Sequence, residues 1–106
     1  MKSLIHPVAE DLTLWGVLYA LGDPVRLEMV RYLAKTDSMC CASLTRNLPK
    51  STLTRHFRVL REHGIIAQQR RGRQFANSLR RAELEARFPG LLDIVLRDEK
   101  VAASRP

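Results

Sequence analysis

Apolar positions recur at helical spacing through most of this chain, and a pair of short strand-like runs interrupts them between residues 65 and 80. Residues 8 to 21, VAEDLTLWGVLYAL, are apolar nearly all round after Asp11. A helix of that kind needs two surfaces to bury against: in so small a protein one is its own core, and the other is expected to be a second copy of the chain. Gly22-Asp23-Pro24 stops this helix and starts the next, with Asp23 or Gly22 as the cap and Pro24 in the first turn. Residues 24 to 35 are expected to bury Val25, Met29, Val30 and Leu33. Arg26 and Arg31 fall on the other side, solvated or paired with Glu28 and Asp23. Thr36-Asp37-Ser38 makes a turn, and Met39 to Asn47 reads as a third, short helix anchored by Leu44 and Leu48.

The stretch that organises the rest is PKSTLTRHFRVLREHGII, residues 49 to 66. Leu53, Phe57 and Leu60 share one face of a helix, while Ser51, Thr54, Arg55 and Arg58 fall together on the opposite side. Pro49 suits the first helical position, and His63-Gly64 supplies a basic last turn and a left-handed stop. A face of small hydroxyls and arginines, with no acid before Glu62, suits a DNA groove better than a protein partner. Arginine forks match guanine edges, and Ser or Thr lets the backbone come close. Helix, short turn and helix with basic polar residues on the second member is the helix-turn-helix arrangement, in which that member enters the major groove. IIAQQR, the turn RGRQ and FANSLR then form two short strands, with Arg70, Arg71 and Arg73 at the tip of their hairpin. After that helix, such a hairpin reads as a wing that grips phosphates and the adjacent minor groove.

The chain closes with RRAELEARFPGLLDIVL, two helical pieces broken before Pro89-Gly90, and residues from about 98 read as a frayed tail. The expected architecture is mainly α with a small β-hairpin, a winged helix-turn-helix in the order α-α-α-α-β-β-α. A single domain over residues 1–106 is expected.

Charge sharpens this picture. The formal net charge is +7, but residues 46 to 81 carry ten Arg or Lys against Glu62 alone, while the rest of the chain is slightly acidic. Such a block is the electrostatic footprint of a nucleic-acid surface, because neutralising phosphates releases condensed counterions. The first residues, MKSLIHPVAEDL, place acids before any apolar run, which is unlike a signal peptide, and no apolar stretch approaches the ~20 residues of a membrane span. The two cysteines are adjacent, and neighbouring thiols rarely pair because the ring is strained. A cytoplasmic, reduced protein without a membrane partner is the expectation.

ALGDPVRLEMVRYLA, then a short helix, STLTRHFRVLREHGII and a basic hairpin together resemble the ArsR/SmtB family of dimeric winged helix-turn-helix repressors, over roughly residues 14 to 80. The resemblance implies a homodimer joined by the first and last helices and bound to an imperfect inverted repeat in double-stranded DNA. The family's base-reading positions correspond here to Ser51, Thr54 and Arg55. Around them we expect Lys50, Thr52, Arg58, Arg70, Arg71, Arg73 and Gln74 to touch DNA. His56 matches a family histidine but flanks the apolar face, so it is expected to pack rather than read bases. The expected interface comprises Leu12, Trp15, Leu18, Tyr19, Leu84, Phe88, Leu91, Leu92 and Val95.

The chain also departs from the family pattern. The turn before the recognition helix is shorter than usual. Metal-sensing members carry Cys-x-Cys on the third helix, whereas here Cys40-Cys41 precede Ala42 and Ser43, so only one position matches. His6, His56 and His63 are the histidines, none after residue 80, which argues against a zinc or nickel site on the last helix.

Three function classes compete. An enzyme with Cys40 as nucleophile lacks an arranged acid or third group and room for a substrate pocket, so no catalytic residue is expected. A winged helix serving only protein interaction would not need a basic wing tip. A DNA-binding repressor accounts for both features. No cofactor is required for it, although Cys40 and Cys41 suit three uses: a site for a thiophilic ion such as trivalent arsenic, a redox switch, or two small apolar fillers. On the last of these, the protein is a regulator without an effector.

Overall fold

A computed structural model describes residues 4–35, 39–40 and 48–97. A single 3-10 turn, Ala9–Asp11, precedes helix α1, Leu14–Leu21, so the continuous helix expected from residue 8 is broken at Leu12 and Thr13. The break has a local cause. The Thr13 hydroxyl accepts a hydrogen bond from the Gly16 N–H at 3.1 Å and caps α1. Leu12 turns inward to 3% exposure, and its carbonyl accepts from the Arg87 Nη2 at 2.9 Å.

Helix α2, Pro24–Ala34, follows at once. The Asp23 carboxylate accepts from the Val25 and Arg26 backbone N–H groups at 2.8 and 3.1 Å, and those bonds work against burial to hold its pKa below the usual carboxylate range. Asp23, then, is the cap, with Pro24 as the first helical residue. Met29, Val30 and Leu33 are buried as expected, and Val25 is half-buried.

Met39–Cys40 form strand β1, which corrects the expectation that a helix begins at Met39. Their backbone pairs with a later strand, and that pairing fixes them as extended chain. Residues 41–47, the remainder of the expected helix including Cys41 and Leu44, lie outside the described residues. Leu48 is half-buried against the core.

Helix α3, Lys50–Glu62, starts one residue later than expected, because Pro49 has an extended ψ of 146° and serves as the N-cap. It ends at a glycine. Gly64 adopts φ +79°, its N–H donates to Arg61 O at 3.0 Å and the Ile65 N–H donates to Leu60 O at 2.9 Å, closing the last turn. A Cβ at Gly64 would run into the Leu12 side chain, so the stop is also a point of close packing.

Ile65 and Ile66 are fully buried and carry the chain into strand β2, Ile66–Arg71, which turns through Gly72 (φ +64°) into β3, Gln74–Leu79. The antiparallel register pairs Ile66 with Leu79 and Arg71 with Gln74. With β1 added, the sheet has three strands in the order β1-β3-β2, one more than the expected hairpin. The C-terminal pair is as expected: α4, Arg81–Arg87, breaks before Pro89-Gly90, and α5, Leu91–Arg97, follows. The core lies where α1, α2, α3 and the base of the hairpin meet, closed from the other end by Leu84 and Leu92.

The described residues thus give five α-helices and a basic antiparallel hairpin in a winged helix-turn-helix arrangement. No helix among them is long and apolar enough to cross a membrane.

Candidate nucleic-acid interface

Helix α3 is strongly two-sided. Leu53, His56, Phe57 and Leu60 are buried, while Lys50, Ser51, Thr54, Arg55 and Arg58 are exposed and Thr52 is half-buried. On the hairpin, Arg70, Arg71, Arg73 and Gln74 are all exposed. Arg70 and Phe75 are directly opposed across the strands, and the Arg70 guanidinium lies 5.7 Å from the centre of the Phe75 ring, which steadies one arginine of the tip. Apart from the half-buried Thr52, every residue expected to touch DNA therefore lies on the outer side of α3 or on the hairpin.

Two buried polar clusters fix these elements, and sequence reasoning missed both. The first is built on Arg26. Contrary to the expectation of a side chain solvated or paired with Glu28 and Asp23, Arg26 is 7% exposed and its guanidinium meets backbone carbonyls and His56. Its Nε donates to Ala20 O at 2.6 Å and its Nη2 to Tyr19 O at 3.3 Å, so the guanidinium caps the C-terminal carbonyls of α1. Its Nη1 lies 3.1 Å from the His56 Nδ1 on α3. Arginine has donors only, so the His56 Nδ1 accepts and the ring is neutral. Burial holds the His56 pKa below its ordinary value, and the Arg26 and Arg55 cations add to that against the pull of Asp23. His56 packs inside, where it orients the helix.

The second cluster ties α3 to the hairpin. Arg61 Nη1 donates to Gln68 Oε1 at 2.9 Å, and Gln68 Nε2 donates to Asn77 Oδ1 at 2.7 Å. Gln68 and Asn77 are directly paired in the sheet and both buried, so helix and both strands of the wing share one polar chain. Strand β2 is an edge strand, and its Gln68 N–H donates to the His6 Nε2 at 2.9 Å, so the N-terminal segment covers that part of the edge. A signal existed in the sequence: Gln68 lies two residues beyond Ile66, on the same inward face.

The expected dimer residues divide. Leu12, Leu84 and Leu92 are at most 3% exposed within the single chain, so they belong to its own core and leave the interface list. Trp15, Leu18 and Tyr19 remain exposed together with Leu14, at spacings that put them on one stripe of α1, and Trp15 is 74% exposed. Phe88, Leu91 and Val95 are half-buried against the core, and Ile94 of α5 is exposed. Cys40 lies in β1, and Cys41 lies outside the described residues.

Residues 21–69 match the family model of a helix-turn-helix domain. An uncharacterised HTH-type transcriptional regulator of Methanocaldococcus jannaschii is 33% identical over 58 residues, a stretch covering 53% of this chain and 65% of that relative. The chain therefore spans just under two thirds of the length of this curated relative. Among solved structures, an ArsR family transcriptional regulator superposes with a TM-score of 0.65 at 18% identity, covering 88% of this chain and 98% of the other. A possible transcriptional regulator for arsenical resistance gives 0.62 at 24% identity, covering 86% and 97%. An ArsR-like transcriptional regulator from Rhodococcus sp. RHA1 gives 0.62 at 22%, covering 86% and 87%. Residues 21–69 thus resemble a helix-turn-helix domain, in a chain whose fold is that of ArsR family transcriptional regulators.

Proposed function

We propose that this protein is a DNA-binding transcriptional regulator that acts as a homodimeric repressor on an inverted-repeat operator. The observation that carries the reading is the exposed row Lys50, Ser51, Thr54, Arg55 and Arg58 on α3, with Arg70, Arg71 and Arg73 on the adjoining hairpin. In this reading α3 enters the major groove by its first turns, and the wing arginines hold phosphates on the flank. Two copies meet through the apolar stripe of α1 and the outer side of α5, setting the half-sites about one helical turn apart. The proposed signal is thiol-directed, acting at Cys40 and Cys41, with no cofactor needed for DNA binding itself. Footprinting on the DNA upstream of its own coding sequence tests the reading. A protected inverted repeat whose affinity falls steeply with salt is expected, and an affinity indifferent to salt would favour a protein-interaction module instead.

A further inference from the structure

Between α3 and the wing lies a cavity of about 790 Å³, within the size range of small-molecule sites. Its floor is apolar, formed by Leu48, Leu53, Phe57 and Phe75. Its polar lining among the described residues is cationic: Lys50, Arg58, Arg61 and Arg73 face it together with the neutral Thr54, Gln68 and Gln74, and no acid among those residues lines it. Of the described residues that line it, Arg61 has a buried polar atom without a hydrogen-bond partner, its Nε, although the Nη1 of the same guanidinium is satisfied by Gln68. A buried guanidinium N–H without an acceptor is costly, and a carboxylate oxygen is the acceptor that suits it best.

We propose that this cavity binds an amphipathic organic anion, an aromatic or short hydrocarbon body seated on the Phe57 and Phe75 floor with its carboxylate on Arg61. A DNA phosphate matches the cations but not the floor, since phosphate and sugar gain nothing from apolar side chains. An uncharged hydrophobe matches the floor but leaves the Arg61 Nε as it is. Only a ligand with both parts uses the whole site. The site also has a regulatory consequence that rests on the function proposed above. Lys50, Thr54, Arg58, Arg73 and Gln74 line the cavity and also lie on the proposed DNA face, so the anion and the operator compete for the same side chains.

Calorimetry on the DNA-free protein with naphthalene-2-carboxylate, its carboxamide and inorganic phosphate tests the proposal. The carboxylate is expected to bind at least about tenfold more tightly than either of the others, in line with the strength of charge-assisted hydrogen bonds. In nitrogen-edited NMR the Arg61 Nε–H resonance should shift on its addition. Arg61→Gln should lose about tenfold in affinity, and if that variant does not fold, the resonance of the parent protein decides. Equal binding of the carboxamide would reduce the site to an apolar patch, and phosphate binding equal to that of the carboxylate would make it a backbone cradle. Either result overturns the proposal, as does the absence of binding or a shift confined to the α1 face around Trp15. A labelled operator duplex, titrated first without the carboxylate, separates the two readings. Failure to bind the duplex at all sinks the regulator, whereas duplex binding that the carboxylate does not displace sinks only the competition.

Discussion

The Arg26 guanidinium meets the His56 Nδ1 at 3.1 Å in the protein interior, joining α2 to the buried side of the helix whose other side carries the exposed arginines. The same guanidinium closes the carbonyl end of α1, so three helices are held by one side chain. Replacing it with an apolar residue of similar length, Arg26→Met, removes the donor for two backbone carbonyls and one imidazole. A loss of about 2 to 4 kcal/mol is expected by chemical denaturation. The His56 pKa should rise in the variant, because a cation that disfavours the imidazolium has gone. An NMR titration that finds it unmoved would separate His56 from Arg26.

Acid should loosen the same joint. Burial lowers the pKa of both His56 and His6, each of which accepts a hydrogen bond through a ring nitrogen in its neutral form. Below the ordinary histidine value the unfolded chain therefore binds more protons than the folded one, and stability falls as pH falls. The contribution of the two histidines is fully present above about pH 6.5 and is lost as pH drops through their lowered folded values. Denaturation midpoints should be flat from neutral pH upward and decline on the acid side. A His6→Gln, His56→Gln protein should show a weaker decline, and an equal one would assign the acid effect to the carboxylates.

The two parts of the proposed DNA surface should fail differently. Arg58 is exposed on α3, and loss of a bidentate base contact there should cost about 1 to 3 kcal/mol and relax preference at one position per half-site. Arg71→Ala or Arg73→Ala should instead weaken all sequences about equally and lower the salt slope by roughly one per protomer, since only phosphate contacts are lost. Arg58→Ala lowering specific and random binding alike, with an unchanged footprint, would remove its base-reading role.

Legibility in the sequence followed the kind of force involved. The two-sidedness of α3, its glycine stop and the break before Pro89 are local, and local pattern is sufficient to find them, while it narrows the cap of α2 to Gly22 or Asp23. Local pattern reads Met39 and Cys40 as helix, whereas their strand state comes from pairing with Asn77 and Ala76, far along the chain, which no local propensity encodes. A helical wheel scores the charge of Arg26 and so puts it in solvent or beside Glu28 and Asp23. Its burial depends on carbonyls of the preceding helix and on His56, thirty residues away. Leu12 extends an apolar run and so reads as partner surface, although the Thr13 cap turns the chain and sends it into its own core. In each case the missing information was a long-range or cap-dependent contact.

The stripe on α1 predicts dimerisation through a definite set of residues. Trp15, Leu18 and Tyr19 are about half or more exposed, and a single chain gains nothing by presenting them to water. Leu18→Glu should give a folded monomer, seen by sedimentation at micromolar concentration, with operator affinity reduced because one half-site supplies too little energy alone. A parent protein that sediments only as a ~12 kDa species, the mass of one chain, would sink the prediction, and so would a Leu18→Glu protein that stays dimeric.

The strand state of Cys40 changes how a thiol signal would reach DNA. Its backbone pairs with Ala76 on β3, the inner strand of the wing, and β3 continues to Gln74 beside the arginine tip. An ion or bond formed at the vicinal thiols would therefore pull on the wing rather than tilt the recognition helix from a neighbouring helix. Thiolates are the reactive form in either chemistry, whether they ligate a soft ion or attack an oxidant. A thiol signal then predicts that arsenite, persulfide or peroxide releases the parent from its operator, and that a Cys40→Ser, Cys41→Ser protein binds normally but ignores all three. If the wing supplies the phosphate contacts proposed above, the released state should retain base preference while losing affinity and salt dependence, which a salt titration of the treated protein measures. A parent indifferent to every agent would remove the thiol signal and leave the two cysteines as small apolar fillers, with only a small loss of stability in the double variant.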